Sequence, residues 1–453
     1  MRDVACAATG PRVGDEDSLH LAGLGRNAIG AETPREWAFE ATGDGVGAFV
    51  PSRNARGGAR GSAPVARSSG TDPSRAAVSR SVTAAPTDLE PTASPVEAPE
   101  NARLWRPRRV VVTASAARFE HGRAIAARAE AQGLEVLRLG GDRLPKAPDL
   151  PPGQAYALAK ATLAVVVSPP GERKLQPISP SADWQFHLAR GCPAHCQYCY
   201  LAGSLPGPPI TRAYANIDEI LAGLPAYLGL GTVTSASAER ADEGTTYEAS
   251  CYTDPLGIEH LTGSLARAIE YFGAWEADVA LRFTTKFDAV GPLLGLAHRG
   301  RTRVRFSVNA EPITRRFEGG TAPLRRRIAA LRACAAAGYP VGLTLAPIMP
   351  IPEWREHYAA LLGLVHDALA AVPGVDLTVE CITHRFTEKS KAILGAWYPH
   401  TTLEMDEAAR TLKFTKFGSK KYVYSREIMA ELRTFVTTRV AADLPAARLL
   451  YWT

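Results

Sequence analysis

The stretch A-R-G-C-P-A-H-C-Q-Y-C-Y-L-A-G, residues 189–203, decides how the rest of the chain is read. Cys192, Cys196 and Cys199 stand in a C-x3-C-x2-C spacing directly after Trp184–Leu188, which reads as a strand. Thiolates are soft ligands that favour soft metals and iron–sulfur clusters. Three close cysteines can hold three irons of a 4Fe–4S cubane and leave the fourth open. The competing reading is a structural zinc site completed by His195 or a distant residue. A closed zinc site normally has a second ligand pair downstream, whereas Cys251, Cys334 and Cys381 each stand alone. The third reading, packed core cysteines, sits badly with Pro193 and His195, which mark a loop.

Outward from this loop, strands and helices alternate. The apolar patterning predicts strands at Trp184–Leu188, Thr246–Cys251, Val279–Thr285, Val304–Asn309, Val341–Ile348 and Leu377–Ile382. It predicts helices at Ile217–Leu228, Glu259–Phe272, Leu324–Ala337, Glu353–Val372 and Glu388–Trp397. Six such repeats predict an α/β fold, a parallel sheet curled into a partial (β/α)6 barrel over residues 181–400. Its active site belongs at the carboxyl ends of the strands. Residues 104–180 read as a small α/β lead-in domain, with strands at Arg109–Ala114, Leu134–Leu139 and Leu163–Ser168 and a helix at Ala116–Gln132. Residues 401–453 read as a hairpin and helix packed on the barrel.

The whole chain has 453 residues, 46% hydrophobic and 22% charged, with a net charge of +6. That mild basic balance permits a polyanionic partner without requiring one. Seven cysteines are too few for a disulfide-built secreted scaffold. The N-terminus does not read as a secretory signal, and no stretch approaches a membrane-spanning length, so a cytoplasmic protein is expected. Residues 1–103 read as a disordered extension. From Ser52 to Glu100 there is no aromatic residue, and arginines give way to carboxylates. Gly23, Gly25 and Gly30 have the wrong spacing for a dinucleotide-binding loop.

The cysteine spacing, Tyr198 before the third cysteine and the surrounding βα pattern resemble the radical S-adenosylmethionine superfamily. Further segments narrow the resemblance to the spore photoproduct lyase family. They are CPAHCQYCYL, YANIDEIL, YEASCYTDPLGIEHLTGSL, LRFTTKF, RVRFSVNAE, AGYPVGLTLAPI, THRFT and LLYWT, in the family's order across residues 104–453. The resemblance implies a DNA repair enzyme that returns a thymine dimer, spore photoproduct, to two thymines. It implies a 4Fe–4S cluster on Cys192, Cys196 and Cys199, bound S-adenosylmethionine and an electron donor such as a flavodoxin or ferredoxin. It makes Cys251 the hydrogen-atom donor, with Tyr198 and Tyr200 returning hydrogen toward the cofactor. A thiol suits that role because its S–H bond is weak; taken without the resemblance, Cys251 reads better as a small buried apolar residue. Thr253, Lys286, Ser307 and Asn309, at or just beyond strand ends, are the expected S-adenosylmethionine cradle.

Residues 410–426, RTLKFTKFGSKKYVYSR, hold six basic residues, no acid and four aromatics. A hairpin turning at Gly418-Ser419 is expected. Lys413, Lys416, Phe417 and Lys420 are the candidate contacts to DNA containing the lesion. A solvated edge hairpin carries the same charges. Lys416-Phe417 replaces an Arg-Tyr pair of well-known family members, which removes a bidentate guanidinium and a phenol. That departure leaves open another nucleic-acid substrate on the same scaffold; a non-catalytic cluster- or zinc-bearing DNA-binding protein is the remaining alternative. Arg301, Arg303 and Arg305 share one strand face and, with Arg325, Arg326 and Arg327, are expected to pair with carboxylates of the helices rather than with DNA.

Overall fold

The computed structural model describes residues 102, 104–145, 149–205, 209–240, 243–414 and 420–453. The expected N-terminal extension, Ala102 apart, and the hairpin residues Lys416 and Phe417 lie outside these described residues.

All six expected barrel strands form, each within two residues of its predicted start. They are β1 (Ala182–Phe186), β2 (Thr245–Ala249), β3 (Val279–Thr285), β4 (Thr302–Val308), β5 (Val341–Ile348) and β6 (Leu377–Thr383). Every neighbouring pair is parallel. A further parallel strand, β7 (Arg448–Trp452), joins β6 from the C-terminal end of the chain. Gln176–Ile178 pairs antiparallel with β1 at the opposite edge. The ladder runs from one edge to the other without closing, which makes the barrel partial.

Strand alternation assigns the two faces. Leu281 and Phe283, Val304, Phe306 and Val308, Leu343 and Leu345, and Val379 and Cys381 join one apolar core with the covering helices. The intervening residues face the lumen, which is ionic. Arg282 reaches Glu380, three strands away. Arg305 pairs with both Glu248 and Glu380 and donates to Ser181 Oγ at 2.8 Å. Strands three apart in a flat sheet would be about 14 Å from one another, so the Arg282–Glu380 pair requires the sheet to curl. Gly342 makes room for this: a Cβ there would lie 2.8 Å from Arg305 Cγ. Of the arginines expected to pair with carboxylates, Arg305, Arg326 and Arg327 do so with Glu248 and Glu380, Asp288 and Glu318, which lie on or beside strands and not on helices, whereas Arg301 donates to the Ala277 carbonyl at 2.6 Å. Arg303 pairs with Asp376 just before β6.

The lead-in sheet has strand order Glu135–Arg138, Arg109–Val112, Thr162–Val166, Thr211–Tyr214, Ala189–Arg190. Its last two strands come from beyond residue 180, so the cysteine loop leaves directly from this sheet. A helix that the sequence did not announce, Pro152–Lys160, precedes Thr162–Val166. The C-terminal segment contains the hairpin strands Thr411–Phe414 and Lys420–Val423 and the helix Arg426–Asp443.

Candidate active site

The cysteine loop begins at Gly191, with φ of +80°. A Cβ there would lie 2.2 Å from the Ile210 carbonyl oxygen, so glycine alone lets the chain turn this close to its neighbour. His195–Cys196 then pairs antiparallel with Glu318–Gly319. Cys196 is buried, Cys192 and Cys199 are half-buried, and all three are free thiols. Burial pushes their pKa values up, Cys192 to about 11, and neighbouring thiols add to the effect at Cys192 and Cys196. Backbone amides oppose it: Ala194 bonds the Cys192 sulfur, and Leu201 and Ala202 bond that of Cys199. A thiol-only donor set with amides on sulfur has the character of an iron–sulfur site. His195 has its Nδ1 3.4 Å from the Tyr156 hydroxyl. Among the described residues, no set of three or more His, Cys, Asp and Glu side chains is arranged to hold a single metal ion.

Cys251 lies two residues past β2, on the same rim. Ser250 before it takes φ of +59°, a region sparsely used by residues other than glycine. The turn is held on both sides: Ser250 N donates to Phe186 O at 2.7 Å, and Ser250 Oγ accepts from Leu188 N at 2.9 Å. Cys251 Sγ donates to Gln185 Oε1 at 2.7 Å. The Tyr200 hydroxyl donates to the Cys251 carbonyl, while the rest of this side chain stays 61% exposed. Burial, reinforced by the Glu248 carboxylate, pushes the Cys251 thiol far up. It is an S–H group, not a thiolate, at neutral pH.

Tyr198 has other partners. Its hydroxyl donates to Glu318 and accepts from Lys286 Nζ at 3.0 Å. Glu318 also pairs with Lys286 at 2.8 Å and Arg327 at 2.6 Å. Burial alone would raise the Glu318 carboxyl; Lys286 and Arg327 more than reverse this and hold it at about 2. Tyr198 thus belongs to a buried ionic cluster, and only Tyr200 touches Cys251.

The expected cradle residues separate in the same way. Thr253 Oγ1 is buried with no hydrogen-bond partner, a polar atom still able to take a ligand. Next to it Asp254 accepts from Lys286 N at 2.6 Å and Thr285 Oγ1 at 2.8 Å, and burial lifts its carboxyl to about 6. Ser307 is buried, with its carbonyl accepting from Arg327 at 3.0 Å. Asn309 is fully buried and engaged: Nδ2 donates to Pro347 O at 2.6 Å, and Oδ1 accepts from Tyr358 Oη at 2.8 Å. Its amide serves the fold.

In the hairpin, Lys413 is exposed and opposite Lys421; Phe414, opposite Lys420, is 66% exposed. Lys420 pairs with Glu388 at 3.3 Å, so its charge is partly neutralised. Lys421, which the sequence reading passed over, has its pKa lowered by burial and by Arg385 and Lys413. Cross-strand like charges cost stability, and an anion bound between them would offset that cost.

Against known proteins, a family profile described as spore photoproduct lyase matches residues 105–453. The Bacillus subtilis (strain 168) spore photoproduct lyase is 40% identical over 301 residues, covering 66% of this chain and 84% of that protein. The Clostridium acetobutylicum enzyme is 31% identical over 344 residues, 76% of this chain and 98% of its own length. A solved spore photoproduct lyase mutant with bound AdoMet and dinucleoside spore photoproduct superposes with a TM-score of 0.71 at 35% identity, covering 78% of this chain and all of that one. A second solved lyase, complexed with dinucleoside spore photoproduct, gives a TM-score of 0.70 at the same identity and coverage. Matched along its barrel and its lead-in sheet, the chain belongs to the spore photoproduct lyase family.

Proposed function

We propose that this protein is a radical S-adenosylmethionine lyase that reverts spore photoproduct in DNA to two thymines. The observation that carries the reading is the protonated Cys251 thiol on the rim beside the cysteine loop, joined to it through Tyr200. Solved relatives with AdoMet and dinucleoside spore photoproduct support both ligand classes. Cys192, Cys196 and Cys199 would hold a 4Fe–4S cluster, leaving one iron for the methionine end of S-adenosylmethionine, with Thr253 Oγ1 as a contact to that ligand. When bound, these groups supply an adenosyl radical that removes a hydrogen atom from the reduced thymine ring.

The chain's own residues complete the reaction. After the methylene bridge breaks, the Cys251 S–H bond gives its hydrogen atom to the remaining thymine radical, and a thiyl radical stays on Sγ. Tyr200 restores that hydrogen atom and is itself restored from the adenosyl group, so S–H and O–H bonds are conserved over a cycle. Gln185 keeps the thiol aimed along the rim. Tyr198 positions Lys286 rather than relaying hydrogen. Lys413, Lys421 and Arg385 hold phosphate. The electron donor is a small redox protein such as a flavodoxin or ferredoxin. Among the described residues no helix is long and apolar enough to cross a membrane.

The test is an anaerobic assay on synthetic spore-photoproduct dinucleotide with S-adenosylmethionine and dithionite. Wild type recovers thymine. Cys251→Ala consumes substrate but diverts it to side products; repair at the wild-type level would sink the donor assignment.

A further inference from the structure

We propose that Lys160, supplied by the lead-in domain, is the fixed counter-charge of the iron–sulfur site: it positions the Cys192–Cys196 loop and raises the cluster's reduction potential. The proposal rests on reading the three cysteines as cluster ligands.

Lys160 ends the helix Pro152–Lys160 and is only 6% exposed. Its ammonium donates to the carbonyl oxygens of Cys192 and Ala194. The third side is covered by Tyr156, whose ring centroid is 5.7 Å from Nζ. Tyr156 is fixed in turn, stacked on Trp397 at 4.6 Å and hydrogen-bonded to the Tyr398 hydroxyl. The helix is thereby clamped between the cysteine loop and Glu388–Trp397.

No carboxylate pairs with Lys160 among the described residues. Burying an unpaired ammonium is costly, and a neutral amide could bond the same two carbonyls at less cost. The charge therefore calls for an anion, and the nearest source of one is the cysteine loop. Lys286, which reaches this loop at the Tyr198 hydroxyl, is already paired with Glu318. A four-iron cluster on three thiolates is net negative and becomes more so on reduction. A fixed cation beside it favours the reduced form, because net charge and solvent exposure set the potential of such clusters. Lys160 is thus a positioning residue, reached only through the lead-in domain.

The experiment compares wild type with Lys160→Met, Lys160→Gln and Lys160→Arg. Iron content, the midpoint potential from an electron paramagnetic resonance redox titration, and melting before reconstitution are measured for each. Met and Gln should lower the ratio of reduced to oxidised cluster at fixed potential by about tenfold, a shift of about 59 mV for one electron. Arg should match wild type. Loading of iron by Met and Gln at an unchanged potential overturns the proposal. Failure of Met and Gln to load iron, with Arg loading normally and all melting like wild type, supports it, since charge alone then decides assembly. A lowered melting temperature in Gln before reconstitution overturns it in favour of a purely structural lysine. If wild type takes up no iron–sulfur cluster, the proposed function fails instead, before any variant is compared.

Discussion

Glu318→Gln is the sharpest test of how the rim is held together. The Glu318 side chain has no exposed surface, and it faces Arg327 at 1% and Lys286 at 16% exposure. Removing its charge leaves two cations with no carboxylate between them, a change that costs about 3–5 kcal/mol when a buried pair is broken from one side. The carboxyl itself gives a second figure. Its fall from 4.5 to about 2 on folding corresponds to about 3 kcal/mol of stability. Because the folded value is depressed, this contribution is fully present above about pH 4.5 and is lost as pH falls toward 2. Urea unfolding of wild type and variant should therefore differ by about 3 kcal/mol at pH 7, with the gap falling to roughly half near pH 3 and closing only below about pH 2. Adding Arg327→Met to the variant should recover part of the loss, since one stranded cation is then gone. A loss under about 1 kcal/mol at pH 7, or one that does not change with pH, would refute the view that Glu318 is the ionised hub of Tyr198, Lys286 and Arg327.

Other consequences are quicker to measure. Asn309→Ala should cost about 1–3 kcal/mol of stability, because Pro347 O and Tyr358 Oη lose a buried partner; calorimetric S-adenosylmethionine affinity of the folded fraction should stay near wild type. Tyr200→Phe should change stability by no more than about 1 kcal/mol, since only one hydrogen bond is removed from an exposed side chain, while multiple turnover falls and a single turnover survives. Lys421→Ala should weaken lesion-DNA binding and reduce its salt slope by about one. Lys420→Ala should do less in a fluorescence titration, because Glu388 already offsets that charge.

Much of the barrel was legible because its strands repeat one local rule. In β3 to β6 an apolar residue facing the helices alternates with a polar one facing the lumen, so Phe283 with Arg282 and Val379 with Glu380 mark both the strand and its faces. β7 escaped notice because all five of its residues are half-buried and carry no alternation. The helix Pro152–Lys160 was hidden by prolines at its start and by alanines, which supply little amphipathic contrast. Helix Glu259–Phe272 was read as continuous, yet Gly263 at φ +63° splits it into Glu259–Thr262 and Ser264–Ala274.

The site was legible only where its chemistry is local. Cys192, Cys196 and Cys199 announce themselves by spacing within eight residues. The groups that give them a setting do not: Lys160 is 32 positions from Cys192, Gln185 is 66 from Cys251, and Glu318 is 120 from Tyr198. Two tyrosines flanking one cysteine looked equivalent in the chain. Their partners separate them, because the backbone turn between Tyr198 and Tyr200 sends one hydroxyl toward Glu318 and the other toward the Cys251 carbonyl. Spacing identified which residues could meet a cluster, and long-range pairing decided what each could do there. For the same reason, Arg305, expected from sequence to pair with carboxylates of the helices, is instead fixed inside the barrel by Glu248 and Glu380, with Arg282 beside it on Glu380. Outward-facing cations that do crowd one another include Lys413 and Lys421, opposite each other across the hairpin, with Arg385 adding to the like charge at Lys421.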